Sequence, residues 1–170
     1  MTAIYVTSDQ HFDHRNANRL CERPFSSLEE MNEVLLSRWN ETVGPQDIVY
    51  HLGDLALGQK PWLWLEKLHG QIIIIRGNHD RKWYARDKSL TLSYAGIDLL
   101  LIHRPWEAAD WEGWILHGHS HQKRPFIDPE NRRVNVSVEM TDYRPVLLDT
   151  IVERIYDIEE ELLRQKGFMI

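Results

Sequence analysis

The sequence lacks the features that mark secreted, membrane-spanning and strongly basic proteins. Cys21 is the single cysteine among 170 residues, which excludes an intrachain disulfide and a cysteine-rich zinc site. The longest aliphatic runs are residues 72–75 and 99–102, far short of the about 20 residues that a membrane-spanning helix needs. Twenty lysines and arginines face 26 aspartates and glutamates, for a net charge of −6. That balance disfavours general nucleic-acid binding but leaves a locally basic site open.

The chain is nevertheless long and apolar enough to bury a core. Hydrophobic residues make up 42% and charged residues 27%, values typical of soluble globular proteins. This length predicts one domain over residues 1–170 rather than two. Met1 is followed by neither a basic stretch nor a cleavage site, so we expect no secretory signal, no membrane partner and a cytoplasmic protein. Whether the protein forms a homo-oligomer stays open.

Short β-branched runs alternate with helical stretches, a pattern typical of α/β architectures. Strands are predicted over residues 4–7, 47–52, 71–76, 90–94, 97–103, 114–117, 133–136 and 146–148. Helices are predicted over residues 27–41, 61–68 and 150–165. The pairs Ser27/Glu30 and Thr150/Glu153 have capping-box spacing and predict where the two long helices begin.

Five of the first six predicted strands end at, or just before, an aspartate, asparagine or histidine. The residues at these ends are Asp9 and His11, Asp54, Asn78 with His79 and Asp80, His103, and His119 with His121. Ligands gather at the carboxyl ends of strands in open α/β sheets, and this donor set suits Mn²⁺, Fe²⁺ or Zn²⁺. One ion does not need so many donors, so we expect two ions about 3.5–4 Å apart, bridged by a carboxylate. The glycines before Asp54, Asn78 and His119 are expected to let the backbone turn sharply.

These motifs resemble, in order, the signature of the calcineurin-like metallophosphoesterases. They read Asp9-x-His11, Gly53-Asp54, Gly77-Asn78-His79-Asp80, His103 and Gly118-His119-x-His121. Residues 8–16 and 49–54 are similar to the small single-domain bacterial and phage members. The resemblance implies an α/β fold, a four-layer αββα sandwich of two mixed β-sheets flanked by helices. The metal site would lie at the carboxyl ends of the strands.

The resemblance also implies a role for each motif residue. Asp9, His11 and His121 would bind one divalent transition-metal ion, Asn78, His103 and His119 a second, and Asp54 would bridge them. Manganese is the favoured metal, with iron, zinc, nickel and cobalt as alternatives. His79 would donate a proton to the leaving oxygen, and Asp80 would orient His79. The two ions would lower the pKa of a shared water, and the resulting hydroxide would attack the phosphoester.

The implied activity is that of a metal-dependent phosphoesterase. The protein-phosphatase branch has an arginine clamp after the bridging aspartate, whereas residues 53–58 here read Gly-Asp-Leu-Ala-Leu-Gly. No segment between the motifs is long enough for a capping domain, so we expect an open site. An open site favours a phosphodiesterase acting on a small phosphodiester or organophosphate. The alternatives are a phosphomonoesterase acting on nucleotides or sugar phosphates, a nuclease, and a catalytically silent scaffold like the retromer subunit of this fold.

Further residues near the motifs are candidates for contacts with substrate or for support of a ligand from behind: His14, Arg15, Asn16, His51, Arg104 and His117. Of these, His51 is expected to be a buried, hydrogen-bonded histidine and His117 to support a metal ligand. Arg15 and Arg104 are the arginines most suited to phosphate oxygens.

Three tryptophans lie close together in the sequence, at Trp106, Trp111 and Trp114. Core packing or a dimer contact is favoured for them over a rim on which a base stacks.

Overall fold

A computed structural model describes residues 2–58, 60–85, 87–108, 110–165 and 167. Its strands are β1 (Ile4–Thr7), β2 (Ile48–His51), β3 (Gln71–Ile74), β4 (Ser89–Tyr94), β5 (Ile97–Ile102), β6 (Trp114–His117), β7 (Ile127–Asp128), β8 (Arg133–Asn135) and β9 (Val146–Leu147). The α-helices are α1 (Ala17–Leu20), α2 (Leu28–Thr42), α3 (Trp62–Leu65) and α4 (Leu148–Gln165). Short 3₁₀ helices cover Pro105–Glu107, His121–Lys123 and Val138–Met140. Within these described residues, no helix is both long and apolar enough to cross a membrane.

The strands form two mixed sheets, as expected, and helices flank them. The first sheet has the order β3-β2-β1-β9, in which only β9 runs antiparallel to its neighbour. The second has the order β4-β5-β6-β8-β7, with β5, β6 and β8 parallel. The predicted α/β sandwich is confirmed. Strand β7 and helix α1 were not predicted, because β7 consists of an isoleucine and an aspartate and α1 buries only Ala17, so neither shows an apolar run.

Helix α2 begins where the sequence predicts. The Ser27 hydroxyl accepts a hydrogen bond from the Glu30 backbone N–H at 3.0 Å, as an N-cap should. The Glu30 carboxylate accepts hydrogen bonds from the backbone N–H and the hydroxyl of Ser26, rather than from the Ser27 backbone N–H that a capping box would use. The buried face of the helix, which includes Leu35 and Trp39, packs in a cluster with Val49 of β2.

Helix α4 begins earlier than predicted, so the expected cap at Thr150 and Glu153 is wrong. The backbone passes directly from β9 into the helix at Leu148, which places Thr150 inside the first turn. Ile151 and Ile155 are buried in one cluster with Leu99 and Leu116 of the second sheet. The burial of this face favours a helix that begins directly after β9, and this packing outweighs the local capping preference of Thr150.

The loops that follow β1 and β2 run side by side beyond the ends of these strands. The backbone N–H of Asp9 donates to the Gly53 carbonyl, and that of His11 to the Asp54 carbonyl, each at 3.0 Å. Two predicted ligand motifs are thereby held next to each other by backbone hydrogen bonds. The parallel strands β5 and β6 bring His103 and His119 to the same place from the second sheet.

Candidate metal centre

The predicted ligands lie on backbone that side-chain-bearing residues rarely adopt. Five of them have positive φ: Asp9 (66°), His11 (54°), Asp54 (60°), His119 (67°) and His121 (46°). Such left-handed residues are uncommon outside glycine and cost of order 1–3 kcal/mol each. Five of the eleven non-glycine residues with positive φ in the described part of the chain are thus predicted carboxylate or imidazole donors, which points to a function that requires their positions.

The glycines of the motifs are required mainly for close approach, which corrects part of the sequence-based expectation. Gly53 does have a positive φ, of 100°. A Cβ on Gly77 would lie 2.2 Å from Asp54 Oδ1, and one on Gly118 would lie 2.0 Å from Ser8 Oγ. These two positions therefore leave room for neighbouring side chains rather than making a left-handed turn.

One group of donor atoms is formed by Asp9, His11 and His121. Asp9 Oδ1 lies 3.7 Å from His11 Nε2 and 3.8 Å from His121 Nε2. This oxygen is fully buried and has no hydrogen-bond partner among the described residues. The other oxygen, Oδ2, accepts hydrogen bonds from the His119 backbone N–H at 2.9 Å and the Ser137 hydroxyl at 3.1 Å. A buried carboxylate oxygen that faces two imidazole nitrogens fits a divalent cation.

A second group is formed by Asn78, His103 and His119. Asn78 Oδ1 lies 3.1 Å from His103 Nε2 and 2.9 Å from His119 Nδ1, and the two histidine nitrogens are 3.1 Å apart. His103 Nδ1 is 2.8 Å from the Leu52 carbonyl, a contact in which the ring donates and which turns Nε2 toward the other two donors. Three donors that converge in this way fit a second cation.

Asp54 lies between the two groups. Its Oδ2 is 3.7 Å from His11 Nε2 of the first group and 3.3 Å from His103 Nε2 of the second. Its Oδ1 accepts a hydrogen bond from the His79 backbone N–H at 2.9 Å. The carboxylate is thus fixed in orientation while one oxygen faces both groups.

Buried carboxylates and histidines lie close together at the site, and each shifts the pKa of the other. Burial raises the pKa of Asp9, but contact with His11 and the positive charges of His103 and His121 outweigh it, so the pKa lies well below the usual value. Burial lowers the pKa of His103, but contact with Asp54 and the charge of Asp9 raise it to about 9. Protonated histidines therefore balance the buried carboxylates in the metal-free protein, and a cation that binds there must displace their protons.

His79 is placed differently from the other motif histidines. Its side chain is 41% exposed, and its Nε2 lies 3.9 Å from Asp54 Oδ2. The ring centroid is 5.4 Å from that of His11 and 6.0 Å from that of His14. The ring therefore stands at the open side of the site, although His11, Asp54 and His79 are also close enough together to hold an ion.

Asp80 does not orient the His79 ring, which corrects the role expected for it. Its carboxylate accepts hydrogen bonds from the backbone N–H groups of Asp54 at 2.6 Å and Gly77 at 2.8 Å, and from the Tyr84 hydroxyl at 2.6 Å. Asp80 thereby ties the Asp54 loop to the loop after β3.

Two residues that support His121 were missed in the sequence. Glu139 Oε1 lies 2.9 Å from His121 Nδ1, and Arg23 binds the same carboxylate at 2.7 Å. Arg23 is buried and also donates to the carbonyls of Asp9 and Gln10. Glu139 follows β8, which is parallel to β6, so a ligand search at every parallel strand end would have found it. No local signal marks Arg23.

Two further histidines are buried and hydrogen bonded. The His51 ring accepts from the Gly53 backbone N–H at 3.1 Å and bonds through Nε2 to the Gln10 side chain. His117 Nδ1 is 2.8 Å from the Gly118 carbonyl, next to His119. Burial lowers the pKa of each ring to about 4. Both rings are therefore neutral at pH 7, and each bonds to the backbone of a glycine that directly precedes a predicted ligand, Gly53 and Gly118.

The remaining candidates are partly or fully exposed. The His14 ring lies near that of His11, with centroids 5.2 Å apart and planes tilted by 35°, and burial together with the charge of His11 lowers the pKa of His14 to about 4. Arg15 and Asn16 are exposed, and the Asn16 side chain makes no capping hydrogen bond to α1. Arg104 is half-buried beside His103.

The three tryptophans lie in different environments and do not form one surface. Trp114 is buried and donates to Glu159 of α4 at 2.9 Å, so it belongs to the core. The Trp111 indole donates to the Trp114 carbonyl at 3.2 Å. Trp106 is 56% exposed, and its ring centroid lies 5.0 Å from that of His119. Of the three, Trp106 is thus the one that borders the candidate metal centre.

We expect the metal-free protein to be most stable near pH 6.5, the ordinary pKa of histidine. Below that pH the unfolded chain takes up protons on His14, His51 and His117, which stay neutral in the folded protein down to about pH 4. Above it the unfolded chain loses protons that folded His103 and His121 keep up to about pH 9 and 10. Urea unfolding of the chelator-treated protein from pH 4 to 10 measures this, and stability that rises between pH 6.5 and 9 would contradict the raised pKa values.

This arrangement of strands and donors has counterparts among known proteins. The sequence model for calcineurin-like phosphoesterases matches residues 2–124. The chain belongs to the calcineurin-like phosphoesterase family. It is therefore a hydrolase of a metal-dependent family, and the family resemblance drawn from its motifs is confirmed.

Relatives of this phosphoesterase cover nearly its whole length. Protein MJ1445 of Methanocaldococcus jannaschii is 45% identical over an alignment of 165 positions that covers 91% of this chain and 92% of the relative. The gene 66 protein of Mycobacterium phage D29 is 28% identical over an alignment of 203 positions that covers 95% of this chain and all of the relative. The solved structure of protein AQ665 from Aquifex aeolicus has the same fold, with a TM-score of 0.69 at 23% identity, and the match covers 91% of this chain and 100% of that one.

Proposed function

We propose that this phosphoesterase is a phosphodiesterase that uses two divalent metal ions, most favourably manganese. One observation carries the proposal: two groups of converging donor atoms share a single buried carboxylate, Asp54. Asp9, His11 and His121 would hold one ion, and Asn78, His103 and His119 the other. Carboxylate, amide and imidazole donors suit manganese, with iron, zinc, nickel or cobalt as alternatives.

The bound ions would supply a water of lowered pKa as nucleophile and neutralise the phosphoryl oxygens. The chain itself must then protonate the leaving oxygen. His79 suits this role because its ring is exposed at the open side and lies 3.9 Å from the shared carboxylate. Its backbone N–H bond to Asp54 keeps the ring next to the reacting centre.

The open surroundings favour a diester over a phosphoprotein. No arginine of the protein-phosphatase type follows Asp54, whose next residues, Leu55 and Ala56, are buried and apolar. A diester brings two organic groups to the phosphorus, and the exposed Trp106 and His79 border space for them. A phosphomonoesterase would use the same proton donor and the same metal ligands.

Metal content and ester preference test the proposal together. We expect the chelator-treated protein, reloaded with Mn²⁺, to bind two ions per chain by elemental analysis. It should hydrolyse bis-(p-nitrophenyl) phosphate with a higher kcat/KM than p-nitrophenyl phosphate. A single bound ion would contradict the dinuclear centre, and faster turnover of the monoester would show that the enzyme is a phosphomonoesterase.

A further inference from the structure

A basic pocket of about 310 Å³ opens beside the second donor group. Its lining includes three cationic side chains, Arg76, Lys88 and Arg104, and one carboxylate, Glu107. This is a local excess of positive charge in a chain whose net charge is −6. A pocket so different from the average surface selects a ligand by charge.

The position of the pocket links it to the proposed reaction. Asn78 and His103, two of the proposed metal ligands, form part of its lining. A phosphoester bound at the metal centre would therefore extend one of its groups directly into the pocket. The His79 ring is not part of this lining and lies near the rings of His11 and His14, with centroids 5.4 Å and 6.0 Å away.

The cationic side chains are poorly neutralised by the protein itself. Arg104 Nε is buried without a hydrogen-bond partner among the described residues. The Arg104 guanidinium approaches Glu107 Oε1 only at 3.5 Å, the limit of a hydrogen bond, and both side chains are 37% exposed. This is the one ion pair within the pocket in the described part of the chain. A buried guanidinium N–H without a partner is costly, so these groups fit an anion supplied from outside.

We propose that this pocket binds a second anionic group of the substrate, a phosphate or a carboxylate a few bonds from the scissile phosphoester. The planar guanidinium groups of Arg76 and Arg104 would bind its oxygens in pairs, and Lys88 would add a point charge. The inference rests on the proposed function, since it places the scissile ester at the metal centre. It narrows the substrate class from phosphodiesters in general to those that carry another negative charge.

Binding of inorganic pyrophosphate to the metal-free protein tests the pocket without catalysis. Isothermal titration calorimetry should show that Lys88→Glu weakens binding about 10-fold or more, a change of about 1.4 kcal/mol. Glu107→Gln should tighten it about 2–5-fold, because a repelling carboxylate is removed. Arg154→Glu, the same charge reversal on an exposed residue of α4, should leave binding unchanged. Equal affinity in the native protein and in both pocket variants would overturn the proposal.

Turnover of a matched pair of esters links the pocket to the reaction. Butyl p-nitrophenyl phosphate and its 3-carboxypropyl analogue share a leaving group and differ by one negative charge. With Mn²⁺, the native enzyme should prefer the carboxylate ester about 10-fold or more in kcat/KM, and Lys88→Glu should bring the ratio near one. Arg154→Glu should keep the native ratio.

The outcomes separate the two proposals. If neither ester is hydrolysed but pyrophosphate binding depends on Lys88 and Glu107, the proposed function fails and the anion pocket stands. If both esters are hydrolysed at the same rate in every variant, the phosphodiesterase stands and the pocket is not a substrate site. Loss of binding in Lys88→Glu without gain in Glu107→Gln would point to general destabilisation, which the melting temperature of each variant checks.

Discussion

Replacing His79 by alanine is expected to slow hydrolysis of alkyl phosphodiesters by about 10²–10⁴-fold, the usual loss for a general acid. Both metal ions should stay bound, since the ring is 41% exposed and the two donor groups that share Asp54 do not require it. The folded structure should tolerate the change, because the His79 backbone N–H, which bonds to Asp54, is retained.

The size of the defect should depend on the leaving group. A p-nitrophenolate departs without a proton, so His79→Ala should slow the aryl ester little. An alkoxide is strongly basic, so its departure should be slowed most. A residue that only binds substrate would give an equal loss for both esters, because uniform binding does not respond to the pKa of the leaving group.

Metal analysis of the same variant completes the test, with His14→Ala as the matched control for metal content. The His14 ring centroid lies 6.0 Å from that of His79, and its removal should leave both ions bound. A rate loss that is constant across the ester series would refute the role as proton donor. Loss of an ion in His79→Ala would show that His79 is a ligand together with His11 and Asp54, which lie near enough for that.

Replacing Asp54 by alanine should abolish binding of both ions and reduce turnover to the background rate. Its Oδ2 faces His11 of one donor group and His103 of the other, so its loss weakens both sites at once. The milder Asp54→Asn keeps the shape of the side chain and should still lose most of the affinity, because an amide lacks the negative charge. Mn²⁺ titration followed by elemental analysis measures the number of ions bound per chain in each variant.

Asp13→Asn is the matched control for this change. Asp13 lies in the same part of the chain, but its carboxylate bonds to Asn32 and Trp64 instead of facing the donor groups. It also has a positive φ, of 61°, which asparagine tolerates. We expect this variant to keep two ions and native turnover. If Asp54→Ala itself kept two ions and normal turnover, the assignment of the bridge would be wrong.

The order and residue types of the donors could be predicted from the sequence because each motif is a short continuous segment. Strand β1 ends just before Asp9, β5 just before His103, and β6 just before His119, so short apolar runs predicted the strands and the following residues predicted the donors. Within each sheet the strands that carry donors run parallel, β1 with β2 and β3 in the first sheet and β5 with β6 in the second, so the donors of one sheet meet at one edge. The family follows from the same motifs and is confirmed by the match to residues 2–124.

The surroundings of the donors depend on contacts that no local pattern contains. Arg23 meets Glu139 across 116 residues of chain, and Ser137 meets Asp9 across 128. Asp80 faces backbone N–H groups rather than His79 because the loops after β2 and β3 lie side by side.

The basic pocket, like these contacts, depends on the tertiary structure and not on a local sequence pattern. It forms because the loop after β3 and the segment after β5 come from different sheets and meet only in the folded protein. Hydrophobic periodicity reports which face of an element is buried, and so it predicts the strands, most helices and the donors at strand ends. Which side chain a buried polar group faces depends on how the two sheets are placed against each other, and only the tertiary structure decides that.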